Sequence, residues 1–326
     1  MSFLKNYTNI SDNKKLYGGN DGLKKGITIN NEDWIIKFPQ ETSTFEKVGI
    51  SFTTAPVCEY IASHIYDILG FDVHQTELGI CKNQNFERVF LVVACKDFTE
   101  NGKFKLVDYE AIKNNFSDDL QDKLIELNNR LPKINKENYL EHTLSIEEVI
   151  LQFKYNEIFK CVPDIKHRFW CMLIIDCLIN NNDRNKNNWG LLENVHSKTF
   201  SIAPIYDNGS AFVSKHTDEK LERLLADDNI FKNSVLNGMC YYTVRRKLSN
   251  FDNFFKNLKE NNLDEDLRKV AKELVPLIQN KMQEITNFIN NLPTSEQGIE
   301  IISETKKKYF IRSMNVRLEE IINKAL

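Results

Sequence analysis

The stretch CMLIIDCLINNNDRNKNNWGLLENVHSKTFSIAPIYDNGSAF, residues 171 to 212, decides how the rest of the chain is read. It opens with a mostly apolar run, Cys171 to Ile179, that continues from Phe169 and Trp170 and predicts a buried helix. The run breaks into consecutive polar residues from Asn180 to Asn188, which predicts a loop at the edge of the core. Trp189 to Leu192 and Phe200 to Ile205 then read as two short strands separated by a polar turn, and Asp207 follows them.

The spacing points to chemistry. Asp183 and Asn188 lie five positions apart on one loop, and Asp207 comes after a short hairpin. In protein kinases, which transfer the γ-phosphoryl group, a loop aspartate takes the hydroxyl proton. An asparagine five residues on and an aspartate beyond the next strand pair hold the metal ions. Hard oxygen donors of this kind suit Mg²⁺. Asn and Asp are also ordinary loop residues, so the weight rests on the buried helix ahead and the hairpin between.

A chain of 326 residues can bury a large core, most naturally in two lobes. Its formal charge of -3 points neither to a nucleic-acid polycation nor to an acidic tail. The 7 cysteines lie apart with no CxxC pair, which argues against a disulfide framework or structural zinc and suits a reducing compartment. The N-terminus MSFLKNYTN carries no apolar signal segment and no run approaches a membrane span, so a cytoplasmic location is expected, with signal-independent secretion left open.

Residues 14 to 38 read as strand, glycine turn, strand, turn, strand, with Asn30 to Asp33 as the second turn. Gly18, Gly19, Gly22 and Gly26 would let backbone amides approach phosphate, or simply form a turn; they match no Walker pattern. Lys37, in WIIKF, shares a side with Ile35, which leaves it either solvated or turned into a cleft where it would pair with phosphates. Residues 41 to 54 form a hydroxyl-rich loop in which Ser43, Thr44, Ser51, Thr53 and Thr54 are candidate phosphorylation sites. Pro56 begins a helix with a Val57, Ile61, Ile65, Leu69 stripe. Glu59 lies off the stripe, as a solvated residue suiting the helix dipole or as the partner that orients Lys37. Phe86 to Cys95 is an apolar strand whose backbone near Val93 to Cys95 would be the natural adenine strip.

Residues 99 to 110 read as a polar hairpin or loop, which places the domain boundary between residues 1–98 and 99–326. Helices follow: Tyr109 to Arg130, then Ile146 to Phe159 behind a Ser145/Glu148 capping box, then a long helix with Pro163 in its first turn. Further helical segments are expected at Leu221 to Leu225, Phe251 to Leu258, Leu267 to Leu292 and Ile302 to Leu326, with Lys306 to Lys308 on a solvated face.

NNNDRNKNNWG followed by APIYD resembles the catalytic and metal-binding segments of HipA-type serine/threonine kinases. The resemblance implies an α+β, two-lobed protein-kinase-like fold, with a small β-rich N-terminal lobe for ATP and a larger helical C-terminal lobe. It puts Asp183 on the catalytic aspartate, Asn188 and Asp207 on the metal positions, Arg184 on the loop arginine, and Lys37 of WIIKFP on the phosphate-binding lysine. Glu59 falls near the acidic residue of the following helix. Asn185 stands where the family usually has histidine.

ATP and Mg²⁺ are therefore the expected ligands, and a protein serine or threonine hydroxyl the expected acceptor, with autophosphorylation in the N-terminal lobe as family members show. A small-molecule kinase on the same scaffold and an ATP-binding pseudokinase or interaction module are the alternatives. Neither direct nucleic-acid binding nor membrane association is expected. Full-length family toxins carry an extra N-terminal subdomain and often pair with an antitoxin; there is no room for that subdomain before Lys14, so an antitoxin-like partner is left open.

Overall fold

The computed structural model describes every residue except 1, 16, 19–22, 44–48, 84–87, 116, 134–142 and 325–326. Its first elements are β1 (Lys5–Asn6), β2 (Lys24–Ile29), β3 (Glu32–Lys37), α1 (Ala55–Ile68), β4 (Thr76–Asn83) and β5 (Arg88–Lys96). The strands form one sheet in the order β1-β4-β5-β3-β2, so β5 is paired on both edges. Asn30 and Asn31 both adopt left-handed backbone, φ 52 and 66, which closes β2 onto β3 with a two-residue turn. That turn is tighter than the four residues expected, and Ile29 pairs with Glu32. Alternation along β3 sends Trp34 and Ile36, followed by Phe38, into an apolar cluster with Tyr7, Ile27, Phe90, Val92 and Ala94. Lys37 faces the other way.

The strand expected ahead of the glycines does not form among the described residues; Asp12 makes an isolated bridge with Ile27 instead. Gly26 has a packing reason. A Cβ there would sit 2.2 Å from Asn13 Oδ1 and 2.9 Å from the Tyr17 ring, which cross over β2 at that point.

Next come β6 (Phe104–Asp108), α2 (Tyr109–Lys113), α3 (Asp118–Arg130), β7 (Leu144–Ser145), α4 (Ile146–Tyr155), α5 (Glu157–Lys160), α6 (Ile165–Ile179), β8 (Gly190–Asn194) and β9 (Phe200–Ile202). Residues 99 to 110, read as a polar hairpin or loop, contain a strand, β6, whose partner is the distant β8. The single helix expected from Tyr109 to Arg130 is two, because Ser117 caps α3 by accepting from the Leu120 N–H. Ser145 caps α4 as expected, accepting from the Glu148 N–H at 3.3 Å. That helix stops at Tyr155, where Asn156 turns extended and accepts from the Ile158 N–H to start α5. Pro163 lies before α6 and not in its first turn, since Asp164 takes left-handed backbone at φ 61.

The remainder is α7 (Asp218–Leu225), α8 (Asp228–Leu236), β10 (Met239–Val244), β11 (Lys247–Asn250), α9 (Phe251–Glu260), α10 (Glu265–Asn290), β12 (Ser295–Glu296), β13 (Ile299–Glu300) and α11 (Glu304–Arg317). The β10–β11 hairpin is unforeseen; β10 also pairs in parallel with β7. Lys306 and Lys307 are not on a solvated face: they are 7% and 3% exposed, paired with Asp218 at 2.8 Å and Glu304 at 2.7 Å.

The fold is α+β and two-lobed, with a β-rich N-terminal region and a helical C-terminal region. One compact unit comprises Met1–Asn101, Pro204–Lys232 and Asn280–Met314; the other comprises Gly102–Ala203, Asn233–Gln279 and Asn315–Leu326. No helix among the described residues is long and apolar enough to cross a membrane.

Candidate active site

Each unit holds its own constellation. In the first, the register of β3 on β5 sets Lys37 opposite Val93, on the face that it shares with Ile35 and Cys95. Its ammonium lies 3.0 Å from Glu59 Oε2 and 2.8 Å from Asp207 Oδ1. Burial opposes the charge on Lys37, but the carboxylates of Asp207 and Glu59 outweigh it and hold the ammonium well above the usual lysine range. Asp207 itself sits in left-handed backbone at φ 59, a conformation that aspartate tolerates better than most residues.

Glu59 is no solvated helix residue; α1 buries it to 1% exposure. Its second oxygen, Oε1, accepts from the Asn208 N–H at 2.8 Å and lies 2.9 Å from His74 Nε2. Burial opposes its ionisation, yet Lys37 and the hydrogen bonds from His74 and Asn208 keep the carboxyl far below the usual glutamate range. Gly209 permits this crowding, because a Cβ there would come within 3.1 Å of Glu59 Oε2.

The second unit carries the Asn-rich loop after α6. Asn180 ends that helix in left-handed backbone, φ 53. Asn181 donates to Asp176 Oδ1 at 3.2 Å and accepts from the Asp183 N–H at 3.4 Å. Arg184 is buried, 0% exposed, and grips Asp176 with Nε at 2.9 Å from Oδ2 and Nη2 at 3.1 Å from Oδ1. Its Nη1 donates to the Asn188 carbonyl at 2.7 Å, and the Tyr242 hydroxyl donates to Asp176 Oδ2 at 2.7 Å. Asn188 Nδ2 donates to the Asp183 carbonyl at 2.8 Å, so Asp183 and Asn188 are tied into one turn. Asn185, in the position expected for histidine, donates to Asp183 Oδ1 at 3.3 Å. Trp189 anchors the end of the loop, stacked on Tyr109 at 4.8 Å between ring centroids.

The other expected site residues fare unevenly. Gly18 is exposed and accepts from Lys24 Nζ at 2.7 Å through its carbonyl; Gly19 and Gly22 lie outside the described residues. The adenine strip at Val93 and Cys95 is not available there, because β3 and β4 take up the backbone of β5 on both sides. In the hydroxyl-rich segment Thr53 is buried and accepts from the Gln40 N–H, and Thr54 donates to the Ser214 carbonyl. Ser43 and Ser51 are exposed, and Thr44 lies outside the described residues.

Sequence reasoning passed over His74, Asn208, Asp176 and Tyr242. For Asp176 a signal existed: a lone carboxylate inside an otherwise apolar helix needs a buried partner. Glu59, His74 and Cys95 place potential metal-ligand atoms within 4.8 Å of one another. Burial pushes the Cys95 thiol far up, which keeps it protonated, and Glu59 already serves Lys37, His74 and Asn208.

No family model matches the chain. The serine/threonine-protein kinase CtkA of Helicobacter pylori is 30% identical over 317 residues, which span 96% of this chain and 84% of that protein. The crystal structure of an H. pylori proinflammatory kinase CtkA aligns with a TM-score of 0.76 at 28% identity, covering 99% of this chain and 97% of that one. The toxin HipA of Shewanella oneidensis MR-1, solved with HipB and operator DNA, aligns with a TM-score of 0.49 at 10% identity, over 96% and 68% of the two chains.

Proposed function

The chain belongs to the serine/threonine-protein kinase family of CtkA, and from that premise we propose that it transfers the γ-phosphoryl group of ATP to a serine or threonine hydroxyl of a protein. The observation that carries the reading is the Lys37–Glu59–Asp207 constellation, a half-buried lysine shared by two carboxylates. A lysine so held is charged and fixed, as a phosphate-binding group must be.

Each donor is of a kind that suits a hard divalent cation. Asp207 offers a carboxylate, and Asn188 has its amide nitrogen engaged by the Asp183 carbonyl, which turns the amide oxygen to the opposite end. Asp207 and Asn188 would hold Mg²⁺, which when bound neutralises charge on the phosphates. Lys37 would pair with the phosphates, and Asp183 would orient the acceptor hydroxyl and take its proton. Arg184 holds the loop through Asp176 and does not face substrate. If the protein phosphorylates its own 41–54 segment, exposure favours Ser43 and Ser51. All seven cysteines are free, which fits action in a reducing compartment such as the cytoplasm.

Incubation with Mg²⁺ and labelled ATP, followed by phosphosite mapping, tests the reading. Asp183→Asn should keep nucleotide binding while lowering transfer by about 10²–10⁴. Transfer by that variant at the parental rate would remove Asp183 from the mechanism. Label found on a metabolite and never on protein would replace the protein acceptor with a small molecule.

A further inference from the structure

Behind Lys37 and Asp207 lies a closed ring of buried polar groups. Glu59 Oε1 lies 2.9 Å from His74 Nε2, which lies 3.1 Å from Ser63 Oγ. Asn208 Nδ2 donates to Ser63 Oγ at 3.2 Å, and the Asn208 backbone N–H returns to Glu59 Oε1 at 2.8 Å. The four residues are 1%, 5%, 2% and 0% exposed in the order Glu59, His74, Ser63, Asn208. The same segments are laced through their backbones as well. His74 N–H donates to the Ile205 carbonyl at 2.9 Å, and Ile205 N–H donates to the Asp72 carbonyl at 2.9 Å. The chain leading into Asp207 is therefore tied to the residues around His74 independently of any side chain.

We infer that His74, with Ser63 and Asn208, is a positioning residue for phosphoryl transfer, holding the Glu59 carboxylate so that Lys37 and Asp207 keep a fixed spacing; this rests on the kinase reading above. The proton count supports it. Glu59 is held ionised, so its oxygens only accept, and the His74 nitrogen facing Oε1 must carry a proton. One carboxylate oxygen then serves Lys37 and the other serves Asn208 and His74. The carboxyl torsion of glutamate is broad, so two donors on Oε1 define its plane where one leaves it free to turn. Turning it would take Glu59 Oε2 off Lys37 and leave the ammonium held by Asp207 alone. Ser63 Oγ faces the same His74 nitrogen and accepts from Asn208 Nδ2, so the fixed geometry comes from the two donors on Glu59 Oε1.

The test uses His74→Leu, which fills the space without a donor, and His74→Gln, which restores an N–H near the position of Nε2. Four readouts are taken: kcat, KM for ATP, thermal midpoint and hydrogen exchange at the Asn208 amide. His74→Leu should lower kcat by about 10–100-fold. Its KM for ATP should stay within about threefold, and the Asn208 amide should exchange at least about tenfold faster. His74→Gln should recover most of the rate and of the amide protection. Parental kcat and parental Asn208 protection in His74→Leu would overturn the inference. So would equal losses of rate and thermal midpoint in both variants, which would make His74 packing alone. A parent that transfers no phosphate, while the Asn208 amide still responds to His74→Leu and not to His74→Gln, would overturn the kinase reading and leave the ring standing.

Discussion

Arg184→Leu isolates the buried pair that carries the Asn-rich loop. Both side chains of the Arg184–Asp176 pair are 0% exposed, so neither charge has water to fall back on. The substitution removes donations to Asp176 Oδ2 at 2.9 Å, to Asp176 Oδ1 at 3.1 Å and to the Asn188 carbonyl at 2.7 Å. Asp176 keeps the Tyr242 hydroxyl and Asn181 Nδ2, which soften the loss without cancelling a formal charge. Stranding one partner of a buried pair costs about 3–5 kcal/mol. Domains are stable by only about 5–15 kcal/mol in total, so the variant should lose a large part of its margin. Urea unfolding followed by tryptophan fluorescence reads the change, with Trp170 and Trp189 belonging to the same unit as the pair. The double variant Asp176→Leu with Arg184→Leu should cost less than the two single costs added, by more than about 1 kcal/mol, because no charge is left stranded. A single-variant cost below about 1 kcal/mol, or simple additivity in the double, would refute the reasoning.

Asp207→Ala should weaken Mg-ATP far more than metal-free ATP in calorimetric titrations, since it removes a hard anionic donor; equal weakening in both would point to a general defect. Lys37→Met should abolish most phosphoryl transfer at a stability cost of about 1–3 kcal/mol, because Glu59 keeps two other donors and Trp34, Ile36 and Phe38 keep the strand packed. Thermal unfolding beside a transfer assay checks this, and a folded variant with parental transfer would remove the lysine from the site. Burial, helped by the charge of Lys220, lowers His216 to about 4 from an ordinary 6.5. The folded state resists its protonation, so stability should be highest above about pH 6.5 and fall toward pH 4. His216→Gln should flatten that part of a thermal-midpoint profile, and an unchanged slope would count against the assignment.

Local sequence alone determined α6, the loop after it and the β8–β9 hairpin, because each rests on contacts between near neighbours. An apolar helix, a run of asparagines able to cap and turn, and two short strands need nothing distant to be recognised. The Asp183–Asn188 spacing belongs with them, since Asn188 Nδ2 closes onto the Asp183 carbonyl within one turn. Ser145 capping α4 was legible for the same reason, and so was the side of β3 that Lys37 shares with Ile35.

Only the tertiary structure decided which charges are brought together in the core. Lys37 meets Asp207 across 170 positions, and Asp207 joins the N-terminal unit through a segment that returns to it late in the chain. Glu59 has the pattern of a solvated helix residue, and Asp176 that of an intruder in an apolar run. Each becomes tolerable in the core when its partners arrive: Lys37, His74 and Asn208 for the first, Arg184, Tyr242 and Asn181 for the second. Periodicity reports which face of an element is apolar. It carries no record of a distant counter-charge, and a buried ion is stable or ruinous according to whether that partner is there.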